Sequence, residues 1–319
     1  MKRLLSSLIV LFLMVCFVFI LLRISPGDPS LKFVSPELNP VLAQKVKDSF
    51  GLNRPIPEQF VQFISNIFSG NFGVSYDFRK PVTEVISNHL PFTIIFSLIS
   101  FIIQLSVSYF LAIWSIKKMN GFVDRLLSKT SLVFYALPSF VIGVFLIFIF
   151  SEKLHLLPAS GLSSYDVDSL SAGERYADYL LHMILPVITL SLGGIAVFYK
   201  YLRDNLDEIF NKMFILNLSA FGLSPKEITK KHVIPNAISP LISVAGVELG
   251  VLFSGALITE VIFGLPGMGR LTVNAILSRD YPLVVGCTFM SGLLIIICNL
   301  IADLLKAKID KRLIRGMLN

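Results

Sequence analysis

Residues 217–236, NLSAFGLSPKEITKKHVIPN, form a polar and basic island between two long apolar segments. The island reads as a short helix, a break and a second helix. Gly222 can take the left-handed conformation that ends many helices, which places the first stop at Phe221. Ser224, Pro225 and Glu227 then supply the start of the second helix. Ser224 can cap a free N–H, Pro225 suits the first helical position, and Glu227 can return the bond as a capping box. Pro235 is expected to close this helix, because an internal proline removes a hydrogen bond and clashes with the preceding turn. Physical signals alone leave two readings open: an ordinary capped loop, or a helix pair presented for a partner to grip.

The flanking segments set the class of protein. The chain has 319 residues, of which 54% are hydrophobic and only 15% charged, and its mean hydropathy is +0.76. Soluble domains carry about a quarter charged residues. Several runs here reach the roughly 20 apolar residues that a bilayer-spanning helix needs. The composition is that of an all-α integral membrane protein embedded in lipid. A net charge of +7 does not indicate a nucleic-acid partner, because the basic residues cluster beside apolar spans and act as topology determinants. Cys16, Cys287 and Cys298 all lie within apolar segments, without a CxxC pair. They read as small apolar packing residues.

Taken in order, residues 4–22 form an apolar run longer than the 7–15 residues usual in a signal peptide, and no small-x-small cleavage site follows. They are expected to be an uncleaved first span with its basic end inside. The turn Pro26-Gly27-Asp28-Pro29 stops it. Residues 30–90 lie outside, with one amphipathic helix in which Phe60, Phe63, Ile64, Ile67 and Phe68 oppose Gln59, Gln62 and Asn66. Packing of this helix against the spans is favoured over a position in the membrane interface. Further spans are expected at about 91–115, 131–151, 184–199, 239–263 and 283–305. Basic loops holding Lys117, Lys118, Arg125 and Lys129, and later Lys200, Arg203, Lys212, Lys226, Lys230 and Lys231, alternate with the acidic segment 152–183. The positive-inside rule then gives six transmembrane helices with N and C termini cytoplasmic and the helix pair on the cytoplasmic side. The chain divides into residues 1–90 (first span and external segment), a five-helix core at 91–305 with a cytoplasmic loop at about 203–238, and a basic tail at 306–319.

Several motifs in this order resemble one family. Ala220, Gly222, Ile234 and Pro235 fall where the cytoplasmic "EAA" loop of ABC-importer permeases has its alanine, glycine and closing Leu-Pro. The run Ala220-Phe221-Gly222-Leu223-Ser224 ahead of a basic helix and Asn236-Ala237 is similar to the branch importing peptides, nickel and glutathione. Leu216, Asn217 and Leu218 depart from the Glu-Ala-Ala that names the loop. The Pro26 turn, Phe50-Gly51-Leu52-Asn53-Arg54-Pro55, Gly70-Asn71-Phe72-Gly73-Val74-Ser75 and the stretch from Glu260 to Arg270 also resemble this family. The chain is therefore identified as resembling the first transmembrane subunit of such an importer.

That resemblance implies an ABC type I importer permease fold in the bacterial inner membrane, importing di- or oligopeptides, with nickel or glutathione as alternatives. It implies a second, similar permease, two cytoplasmic ABC ATPases and an external substrate-binding protein as partners. It also implies an ATPase-coupling loop carrying Ser219, Ala220, Gly222, Leu223, Ser224, Lys226, Glu227, Pro235 and Asn236. The subunit itself is non-catalytic and holds no cofactor, since ATP is bound by the partner ATPases.

The residues bear on the alternatives. Gly264-Leu265-Pro266-Gly267-Met268-Gly269-Arg270-Leu271 has P-loop glycine spacing, but Arg270 and Leu271 stand where phosphate and magnesium binding need Lys and Ser/Thr. It reads as a turn. Gly246 and Gly250 permit close helix approach. Glu248 between them is the one carboxylate well inside a span. It has two open readings, a translocation-path group that meets a substrate amine or a neutral group bonded to a neighbouring helix. Glu260 reads as a structural hydrogen-bonding group. His89, His155, His182 and His232 lack metal-ligand spacing, and no nucleophile elbow is present. A proton-driven secondary transporter using Glu248 remains as a rival, although internal repeats and broken helices of that class are not evident. A membrane-bound enzyme lacks its constellation.

Overall fold

The computed structural model describes residues 2–24, 54–117, 119, 121–254 and 256–309. The Pro26 turn, the front of the 50–55 motif, Lys118 and the tail beyond 309 lie outside the described residues. Among the described residues, apart from an isolated bridge between Val74 and Pro81, every regular element is helical. These are α1 (Lys2–Ile24), α2 (Ile56–Phe68), α3 (Val82–Ile116), α4 (Phe122–Ala136), α5 (Ser139–Leu146), α6 (Ala172–Phe210), α7 (Met213–Ala220), α8 (Pro225–Ile228), α9 (Ile234–Phe253), α10 (Leu257–Ile262), α11 (Met268–Leu277) and α12 (Tyr281–Ile309).

Among the described residues four stretches are long and apolar enough to cross a bilayer: α3, α6, the run Pro225–Ile262 and the run Tyr281–Lys308. The predicted third span, at 131–151, is not one straight helix. It is α4 followed by Ser139–Lys153, bent by 101°. Leu137 is extended at φ −81° and ψ 128°, the region that a following proline imposes, so Pro138 ends α4 and starts α5. With this bent pair counted as one span the total is five among the described residues. The first predicted span falls on α1, whose apolar part, Leu5–Leu21, is shorter than the others.

Two compact units can be distinguished. One comprises Met1–Thr93 with Pro266–Leu293. Here the amphipathic α2 lays its apolar face on α1, with Phe19 at 5.3 Å from Phe60 and 5.0 Å from Phe63 between ring centroids. Val15, Ile67 and Val285 are buried beside them, so this helix packs on α1, as its periodicity suggests. The segment after α2 is pinned by Asp280, which is fully buried. Its carboxylate accepts from the Ser75 hydroxyl, the Asp77 N–H at 3.1 Å and the Leu283 N–H at 3.3 Å.

The other unit comprises Ile94–Leu265 with Leu294–Asn319. Its centre is α6, whose Phe198, Tyr199, Leu202, Leu206 and Ile209 are buried with Ala112 of α3 and Ala237 and Leu241 of α9. Polar residues also line its helix seams. Ser97, Ser100, Gln104 and Ser108 recur along one face of α3, each no more than 1% exposed. Gln104 donates to the Leu190 carbonyl at 3.1 Å and lies directly against Gly194. Ser97 donates to the Leu252 carbonyl at 2.8 Å. Such interhelical bonds in lipid are worth about 0.6 kcal/mol each. On α9, Gly246 and Gly250 face Ala302, Cys298 and Ile295 of α12, so the GxxxG spacing does mark a close helix contact.

Candidate functional site

Only Asn211 and Lys212 separate α6 from α7. Ile215 is buried in the core around α6 and anchors α7. The opposite side of α7 is apolar and uncovered, with Met213 71%, Leu216 65% and Phe221 83% exposed. The helix ends as the sequence predicts. Gly222 sits at φ +84°, its N–H donates to the Ser219 carbonyl at 3.0 Å, and the Leu223 N–H donates to the Leu218 carbonyl at 3.3 Å. This 5→2 and 6→1 pair is a Schellman motif, which needs a residue tolerant of positive φ at Gly222. Leu218 and Leu223 both pack on the core, which fixes the turn.

The second helix begins at Ser224, whose hydroxyl accepts from the Glu227 N–H at 3.3 Å, with Pro225 at the first helical position. A cap of this kind contributes about 1 kcal/mol. The return half of the expected capping box is not made. Glu227 instead accepts from Lys231 Nζ at 2.6 Å. A complete box forms elsewhere, where Ser171 and Glu174 start α6.

Pro235 does not close the helix. The chain widens to a π-helical turn at Thr229–Val233 and continues into α9, with Pro235 in the first turn of α9. A π turn shifts the hydrogen-bond register, so no N–H is demanded of the proline and its ring finds room. Ile228 and Val233 anchor this helix in the core, while Lys226, Lys230 and Lys231 are exposed. Ser219 donates to the Ile215 carbonyl at 3.1 Å, and Asn236 donates to the His232 carbonyl at 2.6 Å. Ala220 is exposed. The structure thus brings Ser219, Ala220, Gly222, Leu223, Ser224, Lys226, Glu227, Pro235 and Asn236 into one continuous feature. The exposed apolar trio Met213, Leu216 and Phe221 was missed, because in an apolar chain such residues look like core.

Glu248 lies two residues from each of Gly246 and Gly250. At 3.6 residues per turn that sets it on the face of α9 turned away from α12. It is half-buried. Glu260 is fully buried in α10. At the P-loop-like stretch, the Met268 N–H that opens α11 is already taken by Thr93 Oγ1 at 2.7 Å, so this glycine turn is closed by the protein itself. Among the described residues no three His, Cys, Asp or Glu side chains are grouped to hold a metal ion.

Long apolar helices, with a helix pair between them that exposes apolar and basic residues, define a polytopic membrane protein. The chain belongs to the family of binding-protein-dependent transport system inner membrane components. That family's model matches residues 104–315, and the model of its N-terminal region matches residues 1–98. It is 33% identical, over 98% of both chains, to a "Probable peptide ABC transporter permease protein y4tP" of Sinorhizobium fredii. It is 31% identical, again over 98% of both, to the oligopeptide transport system permease protein AppB of Bacillus subtilis. The nickel import system permease protein NikB of Staphylococcus aureus is 30% identical over 97% of this chain and 90% of its own. Among solved structures, an amino acid ABC transporter covers 71% of this chain and 94% of its own, with a TM-score of 0.56 at 14% identity. The MetNI methionine ABC transporter covers 72% and 97%, with a TM-score of 0.52 at 13% identity. These two share the fold. The chain is a non-catalytic permease subunit of the inner membrane.

Proposed function

We propose that this permease forms half of the translocation path of an ATP-driven importer of di- or oligopeptides, delivered by an external binding protein. The exposed apolar face of α7, braced by the Gly222 turn and flanked by the basic helix after Ser224, carries the reading. Such a patch beside Lys226, Lys230 and Lys231 suits a protein partner, here two ATPases on the cytoplasmic side. A second, similar permease completes the path. The six-span topology, with α1 as the first span, the bent α4–α5 pair as the third and both termini inside, puts α7 and α8 in the cytoplasm by the positive-inside rule. Two relatives named for peptides, at 33% and 31% identity, support peptide over nickel or glutathione.

Purification of the tagged chain from its native membranes in mild detergent tests this reading. Two ATPases and a second permease are expected to accompany it, and the reconstituted complex should take up labelled peptide rather than nickel. A chain that purifies alone and transports without ATP would replace the reading with a proton-driven one. On this reading Glu248, half-buried on α9, is either a path carboxylate for the substrate amine or a neutral group bonded to a neighbouring helix. Glu248→Gln is expected to keep ATP hydrolysis that responds to loaded binding protein. Loss of proton-coupled, ATP-independent uptake in that variant would mark a proton carrier instead.

A further inference from the structure

The charge of Arg203 was counted above as a topology signal, yet its side chain is only 13% exposed. It donates from Nη2 to Asp124 Oδ2 at 2.9 Å and from Nε to Asp124 Oδ1 at 3.2 Å. This is a two-pronged contact across 79 residues of sequence, and Asp124 itself is 3% exposed. Nη1 of Arg203 donates to Asp207 Oδ2 at 2.8 Å. Asp207 then accepts from Asn211 Nδ2, at 3.2 Å on its carboxylate and 2.9 Å on its carbonyl. Residues 203, 207 and 211 follow at intervals of four, so they descend one face of α6 to the linker that opens α7. At the other end Ser115, near the end of α3, donates to Asp124 and lies 3.1 Å from the Tyr199 hydroxyl. That hydroxyl is 3.3 Å from Ser128 of α4.

We propose that the run Asp124, Arg203, Asp207 and Asn211 is the link through which displacement of α7 reaches the α3–α4 hairpin. Arg203 and Asp124 are then positioning residues for coupling hydrolysis to transport. The proposal rests on the reading of α7 as the ATPase dock. Two features single this run out. The guanidinium is a permanently charged planar fork, so a bidentate carboxylate contact fixes angle as well as distance. The pair is withdrawn from water, where salt and solvent screen it little. A buried pair of this kind is weak evidence for stability, since apolar residues often replace one without loss; fixed orientation is what it supplies.

The test uses the complete importer in proteoliposomes with its binding protein, comparing wild type, the neutral pair Asp124→Asn with Arg203→Met, and the exchanged pair Asp124→Arg with Arg203→Asp, the last in an Asp207→Asn background so that no like charge faces the relocated carboxylate. The neutral pair removes the two most buried charges together and leaves Asp207, whose side chain is 36% exposed, hydrogen-bonded to Asn211. It is expected to retain both ATPases and the second permease and to hydrolyse ATP. Stimulation of that hydrolysis by loaded binding protein should be lost, and transport per ATP should fall about tenfold. The exchanged pair should regain much of both. Undiminished stimulation and transport in the neutral pair would overturn the link. So would loss of assembly in both pairs, which would reduce the network to scaffolding. If the wild-type chain fails to retain ATPases, the docking reading fails first and the link falls with it.

Discussion

Leu216→Asp combined with Phe221→Asp is expected to strip the ATPases from the complex and abolish uptake. These side chains are 65% and 83% exposed and touch little of their own subunit, so the permease loses almost nothing by the change. In the complex their burial would contribute roughly 1.5–3 kcal/mol each. Removing both costs roughly 3–6 kcal/mol, a weakening of about 10²–10⁴ in affinity. Placing two carboxylates into the covered surface adds an uncompensated desolvation cost. Co-purification gives the readout. The second permease should still be recovered in full and the melting temperature should hold, while the ATPases disappear. Retention of the ATPases at normal stoichiometry would move the dock away from α7. Gly222→Ala should act more mildly. Its φ of +84° makes a side chain cost roughly 1–2 kcal/mol, which loosens the turn without touching the contact face.

What the sequence disclosed about this region was local. A glycine that must turn left-handed, a serine that caps and a proline in a first turn act over four or five residues, and each is found where its neighbours require it. The errors arose where one local rule met a competing one. Glu227 had a choice between its own helix start and Lys231 one turn on, and the ammonium won. Pro235 was read as a stop because the rule assumes an unbroken α-helix, whereas the π turn at Thr229–Val233 removes the conflict. Leu137-Pro138 carried the matching warning for the third span, and there the chain does bend. The Asp124–Arg203 pair was beyond reach for a different reason. Its members are far apart in sequence, and each alone looks like an ordinary loop charge near a span. The stripe of Ser97, Ser100, Gln104 and Ser108 lay within reach, since spacings of three and four place all of them on one helix face. The family was legible through motifs in order. Substrate identity was not, because no residue on the page distinguishes a peptide from nickel.

Gly246→Leu is expected to prevent recovery of a folded subunit. A Cβ at that position would sit 2.1 Å from the Ala302 Cβ and 3.4 Å from the Cys298 carbonyl oxygen, and at Gly250 it would be 3.0 Å from the Ile295 backbone. The α9–α12 seam therefore has no slack where the two glycines lie. In lipid, apolar surface alone gives helices no reason to associate, so close packing and interhelical bonds hold them. Prying the seam open would forfeit that packing and part Lys306 from Ser243, now 2.9 Å apart. Overpacking typically costs about 1–3 kcal/mol, and a leucine driven against backbone belongs at or above the top of that range. Attribution comes from a milder exchange. Gly246→Ala should lower the melting temperature, and adding Ala302→Gly should restore it, because the nearest remaining atoms would lie at 3.4 and 3.6 Å, close to ordinary contact. Gly193→Ala, on α6 with nothing within 4 Å, serves as the control and should be tolerated. A Gly246→Leu subunit that folds and transports normally would show that α9 and α12 are not held by this seam. A failure of Ala302→Gly to rescue Gly246→Ala would place the cost elsewhere on α9.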